Sequence, residues 1–442
     1  MILSWQCAAA WCVTFTSSLG AEWAGAQDTL HLADLQRSAQ ARDPRAAQPQ
    51  LLRSASALRL TSLEMERRPQ LSINGYASHQ SDVTSLPLQL AGPARTAPPK
   101  DRWQASVDVQ QLLYDGGSLA ARQSAERARL AESAAGVDAA LYRTRAEVNA
   151  AFFAAYLLQE RAKEVEALAG DLMARLDVAR ARVANGAALG RDTSTILAEQ
   201  LRAELSRREA LASRAAYLAV LAGFTGRRID TSAVLELPDL ARDVERVRAE
   251  GHASVLRARP EFAQFRLTRS RIDREASQSA IENRPRVVAF GQAGLGRPGL
   301  NQLRTDADQL WQAGLRFEWR PWTWRNAERS SEIWRVQQRV IDTEERALAE
   351  ALSRAVEVDV ADFTRLREAL IMDERVVALR SDVERQARAQ YAEGVLTAAD
   401  YVEARTDVLE ARLTLHRHRA ELSQAQARFL TTLGLVPSSG QT

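Results

Sequence analysis

The chain has 442 residues, 46% of them hydrophobic, with 59 basic against 56 acidic side chains and a formal net charge of +3. That is apolar material enough for a sizeable core, and no block of one sign marks a nucleic-acid or polyanion footprint. Beyond the N-terminus no run of 18 apolar residues occurs, which excludes an ordinary transmembrane helix but leaves open a membrane barrel, whose strands need only about ten alternating residues.

Residues 1–26 read as a secretory signal peptide without the usual basic start: an apolar centre from Ile2 to Phe15, then a polar region closing on Ala24, Gly25 and Ala26 ahead of Gln27. Both cysteines, Cys7 and Cys12, lie inside it. The mature chain is therefore expected to hold no thiol, as suits an oxidising envelope compartment. No lipid anchor is expected, because neither cysteine follows the small-residue run of a lipid-attachment site.

From residue 27 onward the chain reads as two copies of one unit. A shift of 208 carries Trp103-Gln104-Ala105 onto Trp311-Gln312-Ala313, Gly186 onto Gly394, Asp192 onto Asp400 and Gly226 onto Gly434. A shift of 216 carries Pro44 onto Pro260 and Arg68-Pro69 onto Arg284-Pro285. The difference falls between 69 and 103, so the first copy has the longer loop there. Proline breaks helix interiors, and none occurs between Pro99 and Pro238 or between Pro321 and Pro437.

The first unit, 27–226, is predicted to run as a helix, a strand pair (69–78 and 103–113), a long helix 117–184, a tight turn and a return helix 191–223. In the second strand Trp103, Ala105, Val107 and Val109 alternate with Gln104, Ser106, Asp108 and Gln110. Its partner alternates Leu71, Ile73 and Ala77 with Ser72, Asn74 and Ser78. The 68 residues from Gly117 to Ala184 make a helix of about 100 Å, wider than any compact domain. A linker over 227–259 leads to the second unit, 260–434: a helix, a strand pair (285–296 and 311–320), a long helix 326–392 and a return helix 398–432, with a tail over 435–442. Its clearest strand sets Trp311, Ala313, Leu315, Phe317 and Trp319 against Gln312, Gly314, Arg316 and Glu318. In the preceding strand Val288 and Phe290 break the alternation.

Of the six tryptophans after residue 26, five lie in or beside these strands: Trp103, Trp311, Trp319, Trp322 and Trp324. Tryptophan favours the membrane interface because its ring is apolar and its N–H needs a polar partner. The alternative is a water-soluble sheet with one face packed on helices, but a face carrying Asp108, Arg316 and Glu318 suits a wet lumen better. Four strands cannot close a barrel and an open edge does not survive in lipid, so several chains are expected to contribute strands.

Taken in order, the motifs are Asp43-Pro44 and Arg259-Pro260 opening each unit, WQASVDVQQLLYDGG at 103–117, and the tip segments RVANGAALGRD at 182–192 and YAEGVLTAADYVEA at 391–404. With the duplication, the chain resembles the TolC family of outer membrane efflux proteins over nearly all its mature length. The resemblance implies a mainly α fold with a membrane β-barrel: duplicated long-helix hairpins forming a trimeric α-helical tunnel, topped by a 12-stranded barrel with four strands per chain. Family members often carry a glycine pair after the second hairpin as well. This chain has Trp322-Thr323-Trp324-Arg325-Asn326 there, which we read as a periplasmic aromatic girdle.

Family tunnels narrow at the periplasmic tip, where acidic residues line the constriction. Carried over by position, the implied gate is Asp192, Asp400, Glu403 and Tyr391, and the tip turns at Gly186 and Gly394 are the implied adaptor docking points. Leu396 stands where an arginine of the family latch is often found. Helix capping is the competing account of Asp192 and Asp400, since each opens a returning helix. His416 and His418 do not share a helix face at i, i+2, so a solvated surface is expected rather than a metal site. Gly291-Gln292-Ala293-Gly294-Leu295-Gly296 lacks the order of a dinucleotide loop. No enzyme, cofactor or metal site is expected.

The implied role is a passive outer membrane channel in a tripartite export system. Its expected partners are two further copies of itself, a periplasmic adaptor (membrane fusion) protein, an inner-membrane pump of RND, MFS or ABC type that supplies the energy, and outer membrane lipid; nucleic acid is not among them. A type I protein secretion duct shares the architecture and remains an alternative. A soluble periplasmic coiled-coil scaffold is a second.

Overall fold

The computed structural model describes residues 29–83, 99–187, 189–251, 256–281, 283–301, 306–322 and 324–435; the expected signal peptide lies outside them. In chain order the elements are β1 (Thr29–Leu30), α1 (Leu32–Arg42), a 3-10 turn (Pro44–Ala47), α2 (Gln48–Met65), β2 (Gln70–His79), β3 (Asp101–Tyr114), α3 (Ser118–Ala184) and α4 (Gly190–Thr225). The linker contributes β4 (Val234–Leu235) and α5 (Ala241–Glu250). The second unit repeats the plan as α6 (Pro260–Ile281), β5 (Arg286–Arg297), β6 (Asp308–Glu318), α7 (Asn326–Ala392) and α8 (Ala398–Thr432).

Helices α3 and α7 are 67 residues each, so each reaches about 100 Å from the sheet. Each packs along its own return helix, and α3 also packs on α8 and α6. No described helix is long and apolar enough to cross a membrane. Strands β2, β3, β5 and β6 form one antiparallel sheet in that order. All four run into helices at one end of the sheet.

The main core lies midway along α3, where Phe152 and Phe153 meet edge to face at 5.3 Å among Leu35, Leu221, Leu240, Val244, Phe363 and Phe429. This is where the linker wraps the bundle. Strand β4 pairs in parallel with β1. Gln159 on α3 ties it down, donating to the Leu235 carbonyl at 3.0 Å and accepting from the Leu235 amide at 2.9 Å. Arg214 on α4 donates to the Thr231 carbonyl at 2.6 Å and to the Ala233 carbonyl, which leaves no linker carbonyl of that pair bare in the core.

His416 and His418 differ from the expected solvated surface. Their side chains are 21% and 18% exposed, and each faces a different neighbour: His416 Nε2 lies 3.2 Å from Glu164 on α3, and His418 Nδ1 lies 2.5 Å from Asp373 on α7. Being two apart they point to opposite sides, which is why one return helix clasps both long helices. The contact with His416 is the first cause holding the Glu164 carboxyl below its ordinary range. Among the described residues no three metal-ligating side chains cluster.

Candidate functional site

The sheet separates its faces by parity. Pairing Ile73 with Val107, Val107 with Ala293 and Ala293 with Trp311 places odd-numbered residues of all four strands on one side, up to a register shift after Leu112 that brings Tyr114 opposite Val287. That side is apolar and bare: Leu71, Ile73, Trp311, Leu315 and Phe317 are between 64% and 80% exposed, and Trp319 54%. On the other side a hydrogen-bonded ribbon crosses every strand. Gln312 Nε2 donates to Gln292 Oε1 at 2.6 Å, Gln292 Nε2 to Ser106 Oγ at 3.0 Å, Ser106 Oγ to Asp108 Oδ2 at 3.1 Å, and Asn74 Nδ2 to the same oxygen at 2.6 Å.

Val288 and Phe290, which break the alternation in sequence, sit on this polar side for a local reason. The Phe290 ring occupies the space over Gly314, where an added Cβ would lie 2.9 Å from it, and Arg316 covers the ring at 5.3 Å. A glycine and a cation thus accommodate one aromatic on a wet face. Trp103 lies on the apolar face, 38% exposed; Trp322 and Trp324 lie beyond β6, edge to face at 5.9 Å and 74% and 79% exposed.

The strand-to-helix junctions repeat although their residues do not. Gly116 and Gly117 have φ of +68° and +91°, and under the 208 shift they become Trp324 and Arg325, with φ of +50° and +61°. The second copy therefore makes the same left-handed pair with two ordinary side chains. Asp115 secures the first junction by accepting from the Gly117 amide at 3.0 Å and the Leu119 amide at 2.6 Å.

At the far end, the two tip turns share one design. Gly186 has φ +69°, and the amide of Ala187 closes on the Arg182 carbonyl at 2.8 Å; Gly394 has φ +78°, and Val395 closes on the Gln390 carbonyl at 2.8 Å. This is the left-handed stop that glycine permits at a helix end. The starts of the return helices differ. Thr397 and Asp400 form a capping box: Asp400 Oδ2 accepts from the Thr397 amide at 3.1 Å and from its hydroxyl at 2.7 Å, while the Asp400 amide donates to Thr397 Oγ1 at 3.2 Å. The Thr397 hydroxyl is the first cause holding the Asp400 carboxyl below its usual value. Leu189, in the same place of the first copy, supplies no side-chain cap. Asp192 is half-buried, with Arg191 Nε 3.9 Å away. Glu403 is exposed.

Tyr391 is buried and stacks on Tyr401 at 5.3 Å and 13°. Arg182 from the first unit donates to the Tyr391 carbonyl at 3.1 Å and the Ala392 carbonyl at 2.6 Å, so it supplies donors to the free carbonyls ending α7. The Tyr401 hydroxyl donates to Asp171, which also holds Arg388 at 3.2 Å, Arg405 at 3.5 Å and Arg175 at 3.9 Å. Burial first, then the Asp171 bond, pushes the Tyr401 phenol up to about 12; burial also raises that of Tyr391. Sequence reasoning missed Tyr401, Asp171 and Arg182. Under the 208 shift they meet Thr193, Leu379 and Gln390, so the repeat that exposes the turns hides this clasp.

No family model matches the chain, and no curated protein matches it. Solved structures do. The outer membrane protein VceC of Vibrio cholerae superposes with a TM-score of 0.63 at 16% identity, over 91% of this chain and 96% of that one. The CmeC outer membrane channel of Campylobacter jejuni gives 0.64 at 12% identity, over 93% and 87%. The open-state MtrE outer membrane channel of Neisseria gonorrhoeae gives 0.64 at 18% identity, over 93% and 91%. The fold is that of the outer membrane channels to which the TolC-like motifs point.

Proposed function

We propose that the chain is the outer membrane channel of a tripartite export system, a passive duct through which small molecules leave the cell. One observation carries the reading: the sheet bares its apolar face and hydrogen-bonds its polar one, the reverse of a sheet folding in water. A soluble coiled-coil scaffold would gain nothing from exposing Leu71, Ile73, Leu315 and Phe317. The four strands have two free edges, which lipid does not tolerate, so further copies supply the missing strands; the family resemblance makes them three chains in a twelve-stranded barrel over a periplasmic tunnel of long helices. The named similar structures are an outer membrane protein and two outer membrane channels, which supports location in the outer membrane of a Gram-negative cell.

In this reading Trp103, Trp311, Trp319, Trp322 and Trp324 meet the lipid interface, and the turns at Gly186 and Gly394 meet a periplasmic adaptor coupled to an inner-membrane pump. Asp192, Asp400 and Glu403 line the closed tip, with Tyr391 holding it from behind. The test is native mass and conductance of detergent-extracted protein: a trimer that opens ion-conducting channels in a planar bilayer is expected. A monomer that stays in the aqueous fraction overturns the reading.

A further inference from the structure

The sheet's two free edges, β2 and β6, carry a register for the partner that covers them, and this inference rests on the assembly of copies proposed above. The two repeat shifts map one hairpin onto the other without residual: Ile73 opposite Val107 becomes Ala289 opposite Leu315, and that pair is observed. The seam between the units, β3 against β5, sets Val107 opposite Ala293, Val109 opposite Gly291 and Asp108 opposite Gln292. The same shifts carry that seam to β6 against β2, as Leu315 opposite Ala77, Phe317 opposite Gly75 and Arg316 opposite Tyr76. Within one chain these strands are the two outer edges of the sheet, so only a second copy can make the contact. We propose that a second copy of this chain docks its β2 on β6 in this register, and that this seam is the looser of the two kinds in the barrel.

Parity supports the register independently. It joins odd residues to odd, keeping the bare apolar face continuous across the seam, whereas a slip of one residue would set Arg316 among lipid-facing side chains. The helices agree. Within the chain Arg271 on α6 pairs with Glu132 on α3; the shifts turn that contact into Ala55 of α2 against Val340 of α7, which is 48% exposed in the single chain. A charged contact becomes an apolar one on a surface left open for it.

The looseness follows from two glycines. Inside the chain, β5 approaches β3 so closely at Gly294 that a Cβ would lie 2.1 Å from the Ala105 carbonyl, and at Gly116 one would lie 2.5 Å from the Arg284 Cβ. Arg284 also donates to the Gly116 carbonyl at 3.1 Å. In the seam between copies, Ser78 replaces Gly294, Trp324 replaces Gly116 and Arg68 replaces Arg284. Neither approach can be reproduced with those side chains, so in this seam the strands stand farther apart beside Ser78 and at the Trp324 junction.

The test is cross-linking in detergent. Leu315→Cys with Ala77→Cys, in a chain whose other cysteines lie in the expected signal peptide, should give covalent dimers and trimers with a short bifunctional thiol reagent. Leu315→Cys with Ile73→Cys should not, and native mass before the reagent establishes that each variant assembles. Cross-linking of the 315 and 73 pair instead, or of neither in an intact assembly, overturns the register and leaves the channel reading standing; a monomeric native mass overturns the channel reading itself. For the looseness, Ser78→Gly should raise the temperature at which the assembly dissociates, and an unchanged or lower temperature overturns it.

Discussion

Arg325 holds a left-handed backbone that its counterpart Gly117 adopts freely, and its one described compensation is an exposed ion pair with Glu328 at 2.8 Å. A non-glycine residue there costs about 1 kcal/mol or more, and exposed pairs offset little. Arg325→Gly is therefore expected to stabilise the folded chain by about 1 kcal/mol, measured as a shift in denaturant midpoint. Gly116→Ala should destabilise it by about 2 kcal/mol, since backbone sign and the Arg284 contact both oppose a Cβ. Tyr401 offers a second residue-scale test through pH. Its folded phenol titrates at about 12 against an ordinary 10, so the neutral form belongs to the fold. The stability it contributes is complete below pH 10 and is lost as pH rises towards 12, when only the unfolded chain ionises readily. Tyr401→Phe should lower neutral-pH stability by about 1 kcal/mol and make alkaline unfolding less steep across that window. An equally steep loss in the variant would assign it to other tyrosines.

Among elements, β6 is where facing can be read directly. Leu315 is 70% exposed on the apolar side, and Arg316 lies over Phe290 on the polar side. Leu315→Arg should cost about 2 to 4 kcal/mol of barrel stability in lipid and Arg316→Leu far less; equal losses in a refolding titration would overturn the assignment of faces. The strands, long helices and glycine turns were legible because each rests on a local pattern: parity in Trp103 to Val109, the absence of proline, and Gly186 and Gly394 recurring at one spacing. The facing of Val288 and Phe290 was not, because it depends on Gly314 lying across the ladder. The junction at Trp324 and Arg325 defied its own sequence, since packing imposed a backbone that propensity would have given to glycine. The clasp of Tyr401, Asp171 and Arg182 was hidden for a different reason. It joins residues more than 200 apart and has no twin in the other copy.

At the scale of the whole molecule the duplication matters most, because two similar units carry two tip turns, at Gly186 and Gly394, of one design. If three copies converge, Asp400 and Glu403 place six carboxylates around one constriction, where like charges attract cations and hinder anions. Asp400 also has a structural duty, since its carboxylate accepts from Thr397 and caps α8, and these bonds keep it ionised below the ordinary carboxylate range. The two duties separate in the double variant Asp400→Asn with Glu403→Gln. Asparagine keeps an acceptor for the Thr397 amide, while the charge is gone. The assembled variant is expected to conduct with weaker cation preference and with less block by multivalent cations in a planar bilayer. For the parent, the share of cation preference that Asp400 supplies should persist as pH falls through the ordinary carboxylate range and fade only below it, as that carboxylate takes up its proton. A double variant that selects and blocks as the parent does would leave these two residues as a helix cap and a surface charge, and would place the constriction elsewhere along α3 and α7.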